Sequence, residues 1–137
     1  MDNHTDEQRH RNMQAVKNKD SDIELKLRKE LWKQGLRYRK NAKDVFGHPD
    51  IVFKGKKIAV FCDSEFWHGY AWEINKEKIH TRREFWIPKI ERNMQRDEIV
   101  NEKLREDGWI VIRFWGNEIK HDVQACADIV VKAVKQR

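Results

Sequence analysis

Two cysteines, Cys62 and Cys126, stand far apart in a chain of 137 residues, and no CxxC pair occurs. That scarcity excludes a disulfide scaffold and argues against a cysteine-rich zinc site. Proline is almost as rare (2 residues) and glycine is sparse (6 residues). No linker, low-complexity tract or internal repeat interrupts the chain. No apolar run approaches the length needed to span a bilayer, and the first residues are too polar for a signal peptide. A reduced, cytoplasmic setting with no membrane partner is expected.

What is present is charge and aromatic bulk. Charged residues make up 38% and hydrophobic residues 39%, with 6 tryptophans. Such a chain can bury a core of its own, and its length suits one domain. The net charge is +6 and the pI about 9.4, a balance that favours a polyanion partner, nucleic acid first. The pattern predicts a polar, basic arm over residues 1–20, with Arg9, Arg11, Lys17 and Lys19, followed by a single domain over 21–137.

Ser21-Asp22-Ile23-Glu24 matches a capping box, and Ile23, Leu27 and Leu31 continue at helical spacing to Gly35. Leu36–Arg39 reads as a short strand. Asp50–Phe53 and Ile58–Cys62 read as an antiparallel hairpin around Lys54-Gly55-Lys56. Ser64–Arg83 lacks a clean period. A second helix is predicted from near Trp86, with Pro88 in its first turn. Trp109–Trp115 reads as a buried strand, and Val123, Ala127, Val130 and Val134 mark a closing amphipathic helix. The order predicts an α/β fold: a small mixed sheet flanked by helices.

The hairpin carries the chemistry. A turn centred on Gly55-Lys56 sets Asp50 opposite Phe61 or Cys62. Its carboxylate can then share a hard cation with the Cys62 carbonyl. Asp63 lies on the other face of a regular strand and joins that site only if the strand ends or bends there. His68, flanked by Trp67 and Gly69, could merely pack, but shortly after the acidic strand end it is a fair general-base candidate. His48 is a weaker one. Glu24 sits where it could serve only as a helix cap.

Phe66, Trp67, Tyr70, Trp72, Phe85 and Trp86 cluster with Lys76, Lys78, His80, Arg82, Arg83 and Lys89. Exposed, such rings stack on bases or wedge between base steps while the cations grip phosphates. Folded inward, they form core. Trp32, Trp109 and Trp115 are expected in the core.

Taken together, Gly47-His48-Pro49-Asp50, Phe66-Trp67-His68, the run Arg82–Asn93, Arg96-Asp97 and Gly108-Trp109 resemble the very-short-patch-repair (Vsr) DNA mismatch endonucleases. Arg11-Asn12-Met13 followed by Glu24 fits the same pattern. The resemblance runs in register from about His10 to Trp115. It implies a restriction-endonuclease-like (PD-(D/E)xK-type) core and Mg²⁺-dependent nicking of double-stranded DNA near a T:G mismatch. Asp50 matches the metal-binding aspartate, Cys62 the residue whose carbonyl joins it, and His68 the catalytic histidine. Glu24 matches a glutamate acting through metal-bound water. Phe66, Trp67 and Trp86 match the DNA wedge, with Arg82, Arg83 and Lys89 beside it.

The departures from the family are specific. Where zinc-holding members carry cysteines and a histidine, this chain has Glu65, Tyr70, Trp72 and Asn117, so no structural zinc is expected. The loop would be held by aromatic packing instead. Asp63 replaces a second active-site histidine. An aspartate usually stays ionised, which assigns Asp63 to the metal or its water rather than to proton donation. The alternatives are a restriction-type or defence-associated nuclease acting on unmismatched DNA, and a catalytically silent DNA-structure-binding module. A dimer or a repair partner protein is left open.

Overall fold

The computed structural model describes residues 21–137. The expectations for residues 1–20, the basic arm and the Arg11-Asn12-Met13 block, lie outside the described residues. Helix α1 (Asp22–Lys33) starts at Ser21, whose hydroxyl accepts the Glu24 N–H. Strands β1 (Arg39–Lys40), β2 (Ile51–Phe53) and β3 (Ile58–Asp63) follow, the last two joined by a 3₁₀ turn over Lys54–Lys56. Two short helices, α2 (Glu65–His68) and α3 (Trp72–Asn75), lead through a 3₁₀ turn to the long helix α4 (Arg83–Glu106). Strand β4 (Ile110–Trp115) and helices α5 (Gly116–His121) and α6 (Val123–Gln136) close the chain.

The four strands form one sheet in the order β1-β2-β3-β4. β1, β2 and β3 are antiparallel, whereas β4 runs parallel to β3. A parallel return needs a crossover, and α4 supplies it. Ile51 pairs with Val60, Val52 with Ala59 and Phe53 with Ile58. Continued by one residue, this register sets Asp50 level with Phe61, the first of the two positions expected.

β3 is buried along its whole length because helices cover both faces. Ile58, Val60 and Cys62 point into a core with Ile23, Leu27 and Leu31 of α1 and Ala127 and Val130 of α6. Ala59 and Phe61 point the other way, toward Val100 and Leu104 of α4. Strand alternation thus divides the sheet's apolar side chains between two helical layers.

Four local expectations are corrected. The first strand is Arg39–Lys40 rather than Leu36–Arg39; Leu36 packs against the core instead. Helix α4 begins at Arg83, so Pro88 lies inside the helix, beyond the first turn. Strand β4 is half-buried, with Phe114 its buried residue, because it is the sheet edge. Trp32 is 53% exposed, on the outer side of α1, where the Arg37 guanidinium stacks 3.4 Å from its ring centroid. Trp109 and Trp115 are half-buried.

Candidate active site

Asp50 is the last residue before β2, and its carbonyl accepts the Asn41 N–H at 3.0 Å. That bond fixes the backbone from which the carboxylate projects. Asp50 Oδ2 accepts the Cys62 N–H at 2.7 Å. Within a strand a residue's N–H and C=O point to the same edge, so the Cys62 carbonyl faces Asp50's side as well. Glu24, in the first turn of α1, is 3% exposed and takes the Ser21 hydroxyl on Oε1 at 3.1 Å. It therefore caps its helix and also reaches Asp50, where its charge and a hydrogen bond act on that carboxyl.

Burial first, and Glu24's charge second, push the Asp50 pKa up to about 7, against the opposing pull of the Cys62 N–H. Burial and the Asp50 charge hold the Cys62 thiol well above its ordinary range. The buried Glu24 and the half-buried Asp50 carboxyls repel each other, and with a backbone carbonyl beside them they make a hard-oxygen set short of a cation. That donor chemistry fits Mg²⁺.

A second cluster lies beyond the strand end. His68 Nδ1 is 2.6 Å from Asp97 Oδ2 and 3.8 Å from Asp63 Oδ1. A ring nitrogen that close to a carboxylate carries the proton, which leaves Nε2 as the acceptor. Burial lowers the His68 pKa, but the Asp97 hydrogen bond and the Asp63 charge outweigh it, so the net displacement is upward. Asp63 is raised by burial, with the His68 and Arg113 charges opposing. β3 runs regularly through Asp63, which pairs with Trp115. Alternation therefore turns Asp63 away from Cys62 and toward His68. Its carboxylate is engaged by Arg113, at 3.1 Å to each oxygen, instead of completing the Asp50 set. His48 lines a separate surface pocket with Lys43, Arg96 and Ile99.

Asp97 and Arg113 were not singled out in the sequence. Asp97 lies on α4, 29 positions from His68, and showed itself only within the Arg96-Asp97 pair. Arg113 did leave a signal: it is a lone charge inside the apolar run Trp109–Trp115.

The aromatic rings divide into layers. Phe66, Trp67 and Trp86 meet edge to face, with centroids 5.3 to 5.5 Å apart. Phe66 and Trp67 are half-buried, whereas Trp86 is 6% exposed and forms the floor beneath them. Phe85 packs on Trp86 at 4.7 Å. Lys89 Nζ lies 5.3 Å from the Trp67 ring centroid, and the Arg82 guanidinium 4.7 Å from that of Phe85. Arg83 is used internally, donating to the carbonyls of Lys76 and Ile79.

Helix α2, which carries Phe66, Trp67 and His68, is tied down at several points. Glu65 Oε2 accepts the Asn117 N–H at 2.6 Å, and Tyr70 meets Trp115 edge to face at 5.0 Å. Trp72 Nε1 donates to Glu91 at 3.1 Å, and Asn93 donates to the Trp67 carbonyl at 3.1 Å. Gly116 makes room for this clasp, since a Cβ there would fall 2.9 Å from Glu65 Oε1. Gly69 turns the chain after His68 at a φ of +71°, which favours glycine. The segment is held by a carboxylate bond as well as by ring packing.

The family model for the DNA mismatch endonuclease Vsr matches residues 1–74. Over its whole length the chain is 50% identical to the type II nicking enzyme V.NmeDIP of Neisseria meningitidis serogroup C, covering 93% of that protein. It is 48% identical to the type II nicking enzyme V.HpaIIP of Haemophilus parainfluenzae, covering 98%. Identity to the DNA mismatch endonuclease Vsr of Escherichia coli K12 is 35% across 83% of this chain and 72% of that one.

Proposed function

Because the chain belongs to the Vsr family of DNA mismatch endonucleases, and is a nicking DNA endonuclease with a restriction-endonuclease-like fold, we propose that it hydrolyses one strand of duplex DNA beside a T:G mismatch with Mg²⁺ as cofactor. Asp50, Glu24 and the Cys62 carbonyl would hold the ion. When bound, Mg²⁺ stabilises the charge that develops on the scissile phosphate. Asp97 fixes the His68 ring by its Nδ1–H, and His68 Nε2 takes the proton from the attacking water. The water oxygen bonds to phosphorus as the bond to the leaving oxygen breaks.

The observation that carries this reading is the 2.6 Å Asp97–His68 pair beside the Asp50–Glu24 carboxyls, close enough for Asp63 to act electrostatically on Asp50. The mismatch part is supported by the family description and by the half-buried Phe66 and Trp67 rings over the Trp86 floor. Unstacking a base step costs a few kcal/mol, and least where pairing is already poor. Arg82 at the Phe85 ring and Lys89 at the Trp67 ring supply cations for the phosphates, on the single domain over 21–137.

The test is cleavage of matched and mismatched duplex pools with Mg²⁺, with the cut ends mapped. Single-strand cuts next to T:G pairs are expected. Equal cutting of matched duplex would overturn the mismatch assignment.

A further inference from the structure

The ligand atoms of Asp63, His68 and Asp97 all lie within 4.8 Å of one another, a spacing that by itself suits a metal ion. The same carboxylates already face a cation that belongs to the chain. Arg113 donates to both Asp63 oxygens at 3.1 Å and lies 3.6 Å from Asp97 Oδ1. Its Nε donates to Asn101 Oδ1 at 2.7 Å, and its guanidinium covers the Phe61 ring at 4.0 Å. Phe61 is also its partner in the β3–β4 register. The side chain is 18% exposed. β3, β4 and α4 thus fix one planar group in one orientation, which a point charge on a flexible stem would not reproduce.

We propose that Arg113 is a positioning residue of this endonuclease: it is the built-in cation of the Asp63–Asp97–His68 cluster, holding Asp97 in line with His68 and keeping divalent metal out. The inference rests on the reading of His68 as the base. The argument is geometric. His68 Nδ1 has two carboxylates within reach, Asp97 at 2.6 Å and Asp63 at 3.8 Å. Arg113 takes both oxygens of Asp63, so Asp63 does not compete for the ring's N–H. Its contact with Asp97 Oδ1 leaves Oδ2 to His68. Without Arg113, Asp63 pulls on the ring and the two carboxylates repel each other, and both effects turn His68 away from its working orientation. A divalent ion entering the cluster would meet a like charge at contact distance, which costs more in a partly buried site than in water.

The experiment compares the full chain with Arg113→Met, Arg113→Met/Asp63→Asn, Arg113→Lys and His68→Ala. It uses nicking kinetics at saturating Mg²⁺ and Co²⁺ titration followed by visible absorption. Arg113→Met is expected to lower kcat by about 10²-fold, the scale of a small misplacement of a reacting group, with KM for DNA unchanged. Adding Asp63→Asn removes the competing charge and should restore most of the loss, which a general folding defect would not allow. Arg113→Met should also gain a Co²⁺ band beyond any that the wild type shows from its Asp50 site, and a further variant, Arg113→Met/His68→Ala, should lose it. If Arg113→Met does not fold, Arg113→Lys keeps the charge and should still lose kcat, because one ammonium lacks the second nitrogen that Asn101 anchors while Nη1 meets the carboxylates. Wild-type kcat in both Arg113 variants, with His68→Ala inactive, overturns this proposal and spares the function. Full activity in His68→Ala overturns the function reading itself.

Discussion

Replacing Asp50 by asparagine should destroy cleavage and yet make the metal-free protein more stable. The Asp50 pKa is displaced from 3.8 to about 7 by burial and by Glu24. Between those values the folded protein holds a proton that the unfolded chain has lost. Folding stability therefore falls as pH rises through that window, because ionising this half-buried carboxyl beside Glu24 costs more in the folded state. At about 1.4 kcal/mol per unit, the full displacement corresponds to roughly 4 kcal/mol at neutral pH and above. Asparagine is close in shape. Its side-chain oxygen still accepts the Cys62 N–H, and its amide donates to Glu24 in place of a repelling charge.

The assay is a set of thermal melts from about pH 4 to about pH 8, with and without Mg²⁺. Near the acid end the two proteins should melt together. Toward neutral pH Asp50→Asn should lead by on the order of 10 °C, given a few degrees per kcal/mol for a domain of this size. Saturating Mg²⁺ should raise the wild type and leave the variant unmoved, since the ion binds only the ionised carboxyl. An Asp50→Asn protein that melts with or below the wild type at neutral pH would refute the strained-carboxylate account. Nicking by that variant would refute the metal assignment.

The remaining predictions concern the rings, the base and the clasp. Trp86→Ala should destabilise the fold by roughly 3–5 kcal/mol, the cost of removing a buried indole. Trp67→Ala should lower the melting temperature little while cutting of mismatched duplex falls, so parallel melts and cleavage assays separate floor from wedge. At saturating Mg²⁺, the single-turnover rate should fall as pH drops through a His68 pKa above its ordinary value, because the proton acceptor must be neutral. Asp97→Asn should move that inflection to lower pH, and an unmoved inflection would leave His68 without its assigned role. Gly116→Ala brings a Cβ to 2.9 Å from Glu65 Oε1, the end of a flexible side chain, so the carboxylate should shift off the Asn117 N–H with little loss of global stability. Hydrogen exchange across Glu65–Tyr70 should quicken; unchanged protection there would mean that the Glu65–Asn117 bond does not hold the segment.

The Asp50–Cys62 half of the candidate site was legible because it is local. A three-residue turn between two apolar runs fixes the β2–β3 pairing, and pairing alone brings Asp50 to Cys62. Glu24 was ambiguous because cap and site make the same demand on the sequence: a carboxylate three residues after a serine. The structure shows it serving both, taking the Ser21 hydroxyl while acting on Asp50. In the second cluster His68 was legible and its surroundings were not. Whether Asp63 joins Asp50 depends on where β3 ends, and that is set by β4, whose Trp115 pairs with Asp63 from the far side of a helical crossover. Asp97 and Arg113 come from two further elements, at separations where periodicity carries no information. Burial of tryptophan failed for a related reason. Trp32 and Trp86 are alike as residues, and only packing decides that one lies under an arginine at the surface while the other lies beneath Phe66 and Trp67. The helix start at Arg83 was missed because Arg82 enters it in a left-handed conformation without a side-chain cap, so the usual cue was missing. In this chain a lone charge inside an apolar strand is the remaining signal for the cluster: Arg113 is held there by carboxylates from β3 and α4, and the same two carboxylates meet His68.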